Sequence, residues 1–405
     1  MSSIYQRYQF AKEQYAEYGI DTDAVLEKLN TIPVSIHCWQ IDDLTGFEDF
    51  DSVLTGGIAV TGSSAGKPRS KEEYVGHLTA ALKLIPGANR VALHAIYLYD
   101  RPGARTERNE ITPDLFAPWI DYAKEMKIGL DFNPTYFKHP LADSGFTLSS
   151  PDPAIREFWI EHGIRSRKIG GFFGTSLGTP CVTNHWIPDG YKDFTADQLS
   201  PRLRLIESLD RLFAEPVAGN IDSVESKLFG LGSESYVTGS HEFYTNYCAL
   251  RDNCIICMDL GHYHPTEKVS DKLSAYLAFG REIMLHVSRG VRWDSDHVVI
   301  LDDEVRAVMR EIARADAFDK VHIGTDYFDG SIDRITATVI GSRSVKKALL
   351  YALLEPTKRL CELEDAGNFG DRLAMMEMLK TLPFGAVWDQ FCESWNMPGE
   401  NWFMR

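Results

Sequence analysis

No stretch of the chain reaches the roughly 20 consecutive apolar residues that a membrane-spanning helix requires. The N-terminal MSSIYQRYQFAKEQYAEYG reads as a polar amphipathic helix and carries no apolar core of the secretory-signal kind. Cations are scarce: 42 Lys and Arg against 58 Asp and Glu leave a formal charge of −16. That balance disfavours nucleic acid and anionic membrane surfaces as partners. Cysteine is sparse as well, and seven thiols without framework spacing suit a reducing cytoplasm rather than a disulfide scaffold. Internal repeats and low-complexity tracts are missing. The glycine-rich FGLGSES and GGFFGTSLG lack the full spacing of a nucleotide fingerprint, so neither is assigned a phosphate role.

What is present is length and periodic apolar sequence. At 405 residues and 44% hydrophobic, the chain can bury a large core as one barrel-sized domain. Two helical patterns occupy residues 4–30, the second capped near Asp21 or Asp23. Eight apolar runs follow: PVSIHCW (33–39), RVALHAIYL (90–98), IGLDFNP (128–134), VTNHWIP (182–188), DSVESKLF (222–229), CIICMDLGH (254–262), IMLHVSR (283–289) and KVHIGTDYF (320–328). They have the length and the Val, Ile and aromatic content of buried strands. Helical patterns such as KEEYVGHLTAALKLI and DEVRAVMREIARADAF lie between them. Eight β/α units predict an α/β fold, a (β/α)8 TIM barrel with N-terminal helices. An open doubly wound sheet is the alternative, but it would not gather the last four strand ends around one centre. Residues 41–69 form a long Gly/Ser/Thr-rich loop, read either as a lid or as a solvated excursion. Residues 343–405 read as a C-terminal helical extension beyond a barrel of residues 1–342, available to the barrel base or to another subunit.

The chemistry-bearing residues cluster late, at or just past apolar runs. Glu225 lies in VESKLF, Asp259 and His262 in CMDLGH, His286 ends IMLH, Asp294 and Asp296 fall in RWDSDH, and Asp326 closes VHIGTD. Strand ends of a parallel barrel open on one face, where active sites collect. The pattern therefore predicts a centre for two divalent metals. Asp294 and Asp296, two apart on an extended segment, can grip one cation together with His262. Glu225, Asp259, His286 and Asp326 complete a second site, with Asp259 able to bridge. Five carboxylates and two imidazoles suit Mn²⁺, Co²⁺ or Mg²⁺, with Zn²⁺ also open.

Lys227, two residues after Glu225, is either its ion-pair partner or a group aimed at a substrate oxygen that becomes negative during reaction. Cys254 and Cys257, three apart in a strand, face opposite sides and read as buried small hydrophobes rather than a shared metal site. His37, Trp39, His94, Asn133 and Trp186 near the early strand ends offer rings for sugar C–H faces and polar tips for hydroxyls.

The stretches PVSIHCWQ, LTGGI, LHAIYL, GLDFNP, GFTLS, WIPDG, VESKLFG, GHYHPTE, LHVSRGVRWDSDHVV and HIGTDYFD together resemble the L-rhamnose isomerase family over nearly the whole chain. The resemblance implies cytoplasmic ketol isomerisation of L-rhamnose to L-rhamnulose, a (β/α)8 barrel, Mn²⁺ dependence and a homotetramer. By the same resemblance, His262, Asp294 and Asp296 look like catalytic metal ligands, and Glu225, Asp259, His286 and Asp326 like those of a structural metal. The more distant xylose isomerases use similar elements in the same order but carry a carboxylate where this chain has His286, so metal preference need not match.

For such a reaction, a metal-assisted hydride shift is favoured over an enediol route, since no obvious carbon base stands beside the metals. Lys227 would meet charge on O1, His94 is the ring-opening candidate, and Ile96, Tyr97 and Phe328 are rim candidates for the C6 methyl. A two-metal phosphoester hydrolase could use similar ligands, but it needs a basic groove, and −16 weighs against one. A non-catalytic sugar binder would not need seven metal ligands.

Overall fold

The computed structural model describes residues 3–48, 62–100, 103–232 and 234–404. Eight parallel strands close into a barrel: β1 Val34–His37, β2 Asn89–His94, β3 Gly129–Asn133, β4 Cys181–Trp186, β5 Asn220–Glu225, β6 Ile255–Asp259, β7 Ile283–Val287 and β8 Val321–Thr325. Each strand pairs with the next in the chain, and β8 returns to β1 with Ile323 beside Val34. The expected barrel is the observed one. Every apolar run supplies a strand, but most runs outlast the strand at the C-terminal end. Trp39 opens a short helix to Asp42, and Ala95–Tyr97 forms a 3-10 turn. Burial continues into these loops, so hydrophobicity does not mark where pairing stops.

The outer helices follow the sequence periodicity. Asp303–Arg314 is capped by Asp302 and buries Val305, Val308, Met309 and Ile312, one helical stripe facing the barrel. Each such aliphatic contributes about 1.5–3 kcal/mol on burial. At the N-terminus, Ile4–Ala16 starts with a Ser3–Gln6 capping box, and Asp21 caps Thr22–Asn30. The longest helix, Pro153–Leu177, contains most of GGFFGTSLG. A Cβ on Gly174 would stand 1.9 Å from the Gly219 carbonyl oxygen, so glycine there lets the helix lie directly on the chain entering β5.

One expected segment boundary changes. The division expected at 342/343 falls inside one continuous helix, Arg334–Leu353, which packs on β1 and on the helices Lys71–Leu82 and Asp303–Arg314. It is the barrel's eighth helix. Helices Thr357–Asp365, Phe369–Leu379 and Phe384–Ser394 come after it, and the last packs against Ile4–Ala16, with Arg7 3.1 Å from Asp389. Of the long loop, residues 49–61, including LTGGI, lie outside the described residues. Its flanks are anchored: Arg334 holds Asp43 and the Ser64 carbonyl, and Arg108 holds Glu48. Among the described residues, no helix is long and apolar enough to cross a membrane.

Candidate metal centre

Four side chains converge at the C-terminal ends of β5 to β8. Glu225 ends β5, Asp259 ends β6, His286 is the penultimate residue of β7, and Asp326 directly follows β8. One ligand atom from each falls within 4.8 Å of the others, and all four residues are buried. His286 Nδ1 lies 3.3 Å from Glu225 Oε2, 3.3 Å from Asp326 Oδ2 and 3.8 Å from Asp259 Oδ2. Among the described residues, Glu225 Oε1, Asp259 Oδ2, His286 Nδ1 and Asp326 Oδ1 are buried without a hydrogen-bond partner. Buried polar atoms are rarely left so, and orphans converging on one point fit a cation. Burial, reinforced by the charges of Glu225, Asp326 and Asp294 against the pull of His262, pushes Asp259 up to about 7. Three carboxylates and an imidazole buried around one point make a donor set that fits a divalent cation.

His262, Asp294 and Asp296 lie beside this cup but are less tightly drawn together. His262 Nε2 stands 3.4 Å from Asp294 Oδ2, and its Nδ1 is 3.2 Å from the Ser226 carbonyl. Against its burial, Asp259 and then Asp294 raise His262 well above the usual histidine range. Asp296 has φ +47°, outside the extended region, so the alternation expected to align it with Asp294 does not operate. Burial and neighbouring Asp294 hold Asp296 well above the usual carboxylate range.

Lys227 faces the same group. Its ammonium lies 2.7 Å from Asp294 Oδ2, 4.9 Å over the Trp186 ring and 5.3 Å over Phe229. Despite burial, Asp294 and then Asp296 raise it above the usual lysine range. Glu225 instead faces His262 and His286 and accepts a hydrogen bond from Asn184. Of the two alternatives for Lys227, the ion pair with Glu225 is not formed, and the lysine pairs with Asp294 instead.

On the early-strand side the wall is aromatic. Trp39 stacks on His94 at 4.2 Å and meets Phe137 and Phe328 edge-on at 5.9 Å and Trp186 at 6.4 Å. The indole N–H groups of Trp39 and Trp186 have no hydrogen-bond partner among the described residues. His94 contacts His37 (Nε2 to Nε2, 3.0 Å) and Thr135 (3.2 Å); burial, then His37, holds it well below the usual histidine range. Asn133 donates to the Leu93 carbonyl. Ile96 and Tyr97 do not lie at the rim as expected. Both are fully buried in the packing behind β2, with Ile96 against Gly46 and the Tyr97 hydroxyl 2.7 Å from Asp42. The apolar runs outlast the strands, and that is why these two read as rim residues.

A family model described as L-rhamnose isomerase (RhaA) matches residues 2–405. The L-rhamnose isomerase of Yersinia pseudotuberculosis serotype O:1b (strain IP 31758) is 54% identical over 400 residues, covering 98% of this chain and 95% of its own. The L-rhamnose isomerase of Cronobacter sakazakii (strain ATCC BAA-894) matches with the same figures. The chain belongs to the L-rhamnose isomerase family. As a member it is an enzyme of the isomerase class. Its fold is shared with an L-ribulose 3-epimerase (TM-score 0.50, 14% identity, 82% of this chain and 97% of that one). It is shared too with a D-psicose 3-epimerase from Clostridium cellulolyticum H10 in a structure with D-tagatose (TM-score 0.50, 13% identity, 80% and 100%). At such identities the likeness concerns the fold alone.

In this family member several side chains that order the centre escaped the sequence reading. Asn184 on β4 binds Glu225, and the Ser288 hydroxyl and Gly261 N–H both donate to Asp259 Oδ1. His37, read only as a sugar contact, has Nδ1 3.5 Å from Asp326 and groups with His286 and Asp326. Asn184 and Ser288 sit on or just past strands, as the ligands do, but nothing distinguishes them from ordinary strand-end polar residues. Cys254 and Cys257 are indeed apart: Cys254 meets Cys248 at 3.7 Å, whereas Cys257 faces into the barrel.

Proposed function

We propose that this chain interconverts L-rhamnose and L-rhamnulose as a ketol isomerase using two divalent cations, Mn²⁺ being the first choice. The observation that carries the metal requirement is the buried cup of Glu225, Asp259, His286 and Asp326, whose ligand atoms lie within 4.8 Å of one another. These four would hold the structural ion. His262, Asp294 and Asp296 would hold the catalytic one, with Asp259 between the two. Divalent ions at these positions supply Lewis acidity toward the oxygens of adjacent sugar carbons.

The chain's own groups do the rest. Lys227 is placed to stabilise negative charge developing on O1. His94, kept neutral by burial, is assigned the proton transfer that opens the sugar ring. Trp39, Trp186 and Phe328 pack on the C–H faces of the sugar and exclude water, and Asn133 bonds a hydroxyl. The described carboxylates at the mouth would serve as ligands, and none of them is assigned to take a proton from carbon. Direct hydride transfer between C2 and C1 is therefore favoured over an enediol. A cytoplasmic homotetramer, with the helices after Leu353 as subunit contacts, completes the proposal.

The test compares metal-loaded protein with extensively chelated protein, verified metal-free, on L-rhamnose and on a phosphodiester. Ketose should form only from L-rhamnose, with Mn²⁺ or Co²⁺ restoring the chelated sample. Equal turnover by verified metal-free protein would refute the metal requirement, and phosphodiester cleavage would refute the reaction class.

A further inference from the structure

Beneath the four-residue cup the barrel interior carries sulfur. Cys257 lies two residues before Asp259 on β6, so both side chains share the strand face that looks into the barrel. Its register partners are Glu225 on β5 and Met284 on β7. Fully buried, it forms with Val182 and Met284 the small apolar cluster that floors the cup. One ligand atom each from Glu225, Cys257 and His286 falls within 4.8 Å of the others. Two of the three residues also carry unsatisfied atoms, since Glu225 Oε1 and His286 Nδ1 are buried without hydrogen-bond partners among the described residues.

We infer that Glu225, Cys257 and His286 form a deeper cation site, selective for thiophilic divalent ions such as Cd²⁺ and Zn²⁺, that competes with the four-residue cup for two of its ligands. The selectivity follows from ligand softness. Mn²⁺ and Mg²⁺ prefer the all-oxygen and imidazole set that includes Asp259 and Asp326, whereas Cd²⁺ and Zn²⁺ gain most from a thiolate. On binding, the Cys257 thiol releases its proton to solvent and the sulfur becomes the third ligand. An ion lodged there occupies Glu225 and His286, so it excludes the ion the cup would otherwise hold. The inference rests on the proposed metal reading of Glu225 and His286, and adds that the floor of the cup discriminates between metals.

Cys248 and Cys254, with sulfurs 3.7 Å apart, form a separate dithiol that could itself take Cd²⁺. The comparison is therefore made in full-length protein carrying C248S and C254S, with and without Cys257→Ser, each checked by circular dichroism. One equivalent of Cd²⁺ should produce a thiolate-to-cadmium charge-transfer band that Cys257→Ser abolishes. Cd²⁺ affinity should fall by at least about tenfold, while Mn²⁺ affinity, followed by electron paramagnetic resonance, stays within about threefold. Cys257→Ala, which keeps the floor apolar, must give the same loss, and stands alone if the serine variant folds poorly. Bound Cd²⁺ without a band, or a band that survives both substitutions, overturns the inference. An equal loss of Mn²⁺ and Cd²⁺ affinity overturns it as well. If neither ion binds the parent protein, the metal reading itself fails.

Discussion

Lys227→Met separates charge from packing at a lysine facing the centre. Methionine keeps much of the stem over Trp186 and Phe229 but removes the ammonium 2.7 Å from Asp294. Two consequences can be sized. If Lys227 meets charge developing on O1, kcat should fall by roughly 10²–10³, about 2.7–4 kcal/mol of transition-state stabilisation, with a smaller change in KM. In metal-free protein the buried Asp294 keeps only His262 at 3.4 Å, and breaking a buried pair typically costs about 3–5 kcal/mol, an upper bound here. Unfolding entropy scaled to a chain of this size converts that to roughly 3–6 °C in Tm. A bound divalent ion takes over the charge of Asp294, so Mn²⁺ should stabilise the variant more than the wild type and shrink the Tm gap. The assay pairs steady-state kinetics with thermal unfolding, each at verified metal content. Near-native kcat with both metals bound, and a Tm deficit that Mn²⁺ leaves unchanged, would show that Lys227 serves only to neutralise Asp294.

Glu225→Ala should lower both metal content and Tm, because it strips the shared neighbour of His262, His286 and Asn184; His262→Ala should lower kcat strongly with less loss of Tm, since Lys227 still holds Asp294. Equal Tm losses would contradict that division. Phe328→Ala should narrow a preference for L-rhamnose over L-mannose in kcat/KM that is itself only about ten- to hundredfold, since an apolar pocket rejects an added hydroxyl modestly. An unchanged ratio would seat the methyl away from Phe328. At the opposite end of the barrel, Lys346 is buried with its ammonium on the Ala88 carbonyl, and burial pulls it down to about 7. A folded value below the unfolded one means that stability from this group rises as pH climbs from about 7 toward 10.5, by a few kcal/mol at most. Lys346→Met should remove that rise from the difference in urea midpoints across the window, and parallel curves would show that the lysine is not the titrating group.

The sequence by itself determined the barrel and the address of its chemistry. Parallel strands buried on both faces must be near-continuous apolar runs, so all eight were visible, and polar residues cluster where the chain leaves each run. That placed Glu225, Asp259, His286 and Asp326 at one mouth without any knowledge of pairing. Which groups touch was decided by tertiary structure. The alternation rule holds only within a strand, and β5 ends at Glu225, so nothing local could say that Lys227 turns to Asp294. The same limit misdirected Asp296, which sits in the left-handed region, and placed Ile96 and Tyr97 at a rim when they lie in a turn behind it. Asn184 reaches Glu225 across 41 residues, and Ser288 reaches Asp259 across 29. Contacts at such separations arise only when the sheet closes and brings neighbouring strand ends side by side. Cys257 makes the point most sharply: its strand position says that it is buried, and only its register beside Glu225 puts its sulfur within a metal's reach of His286.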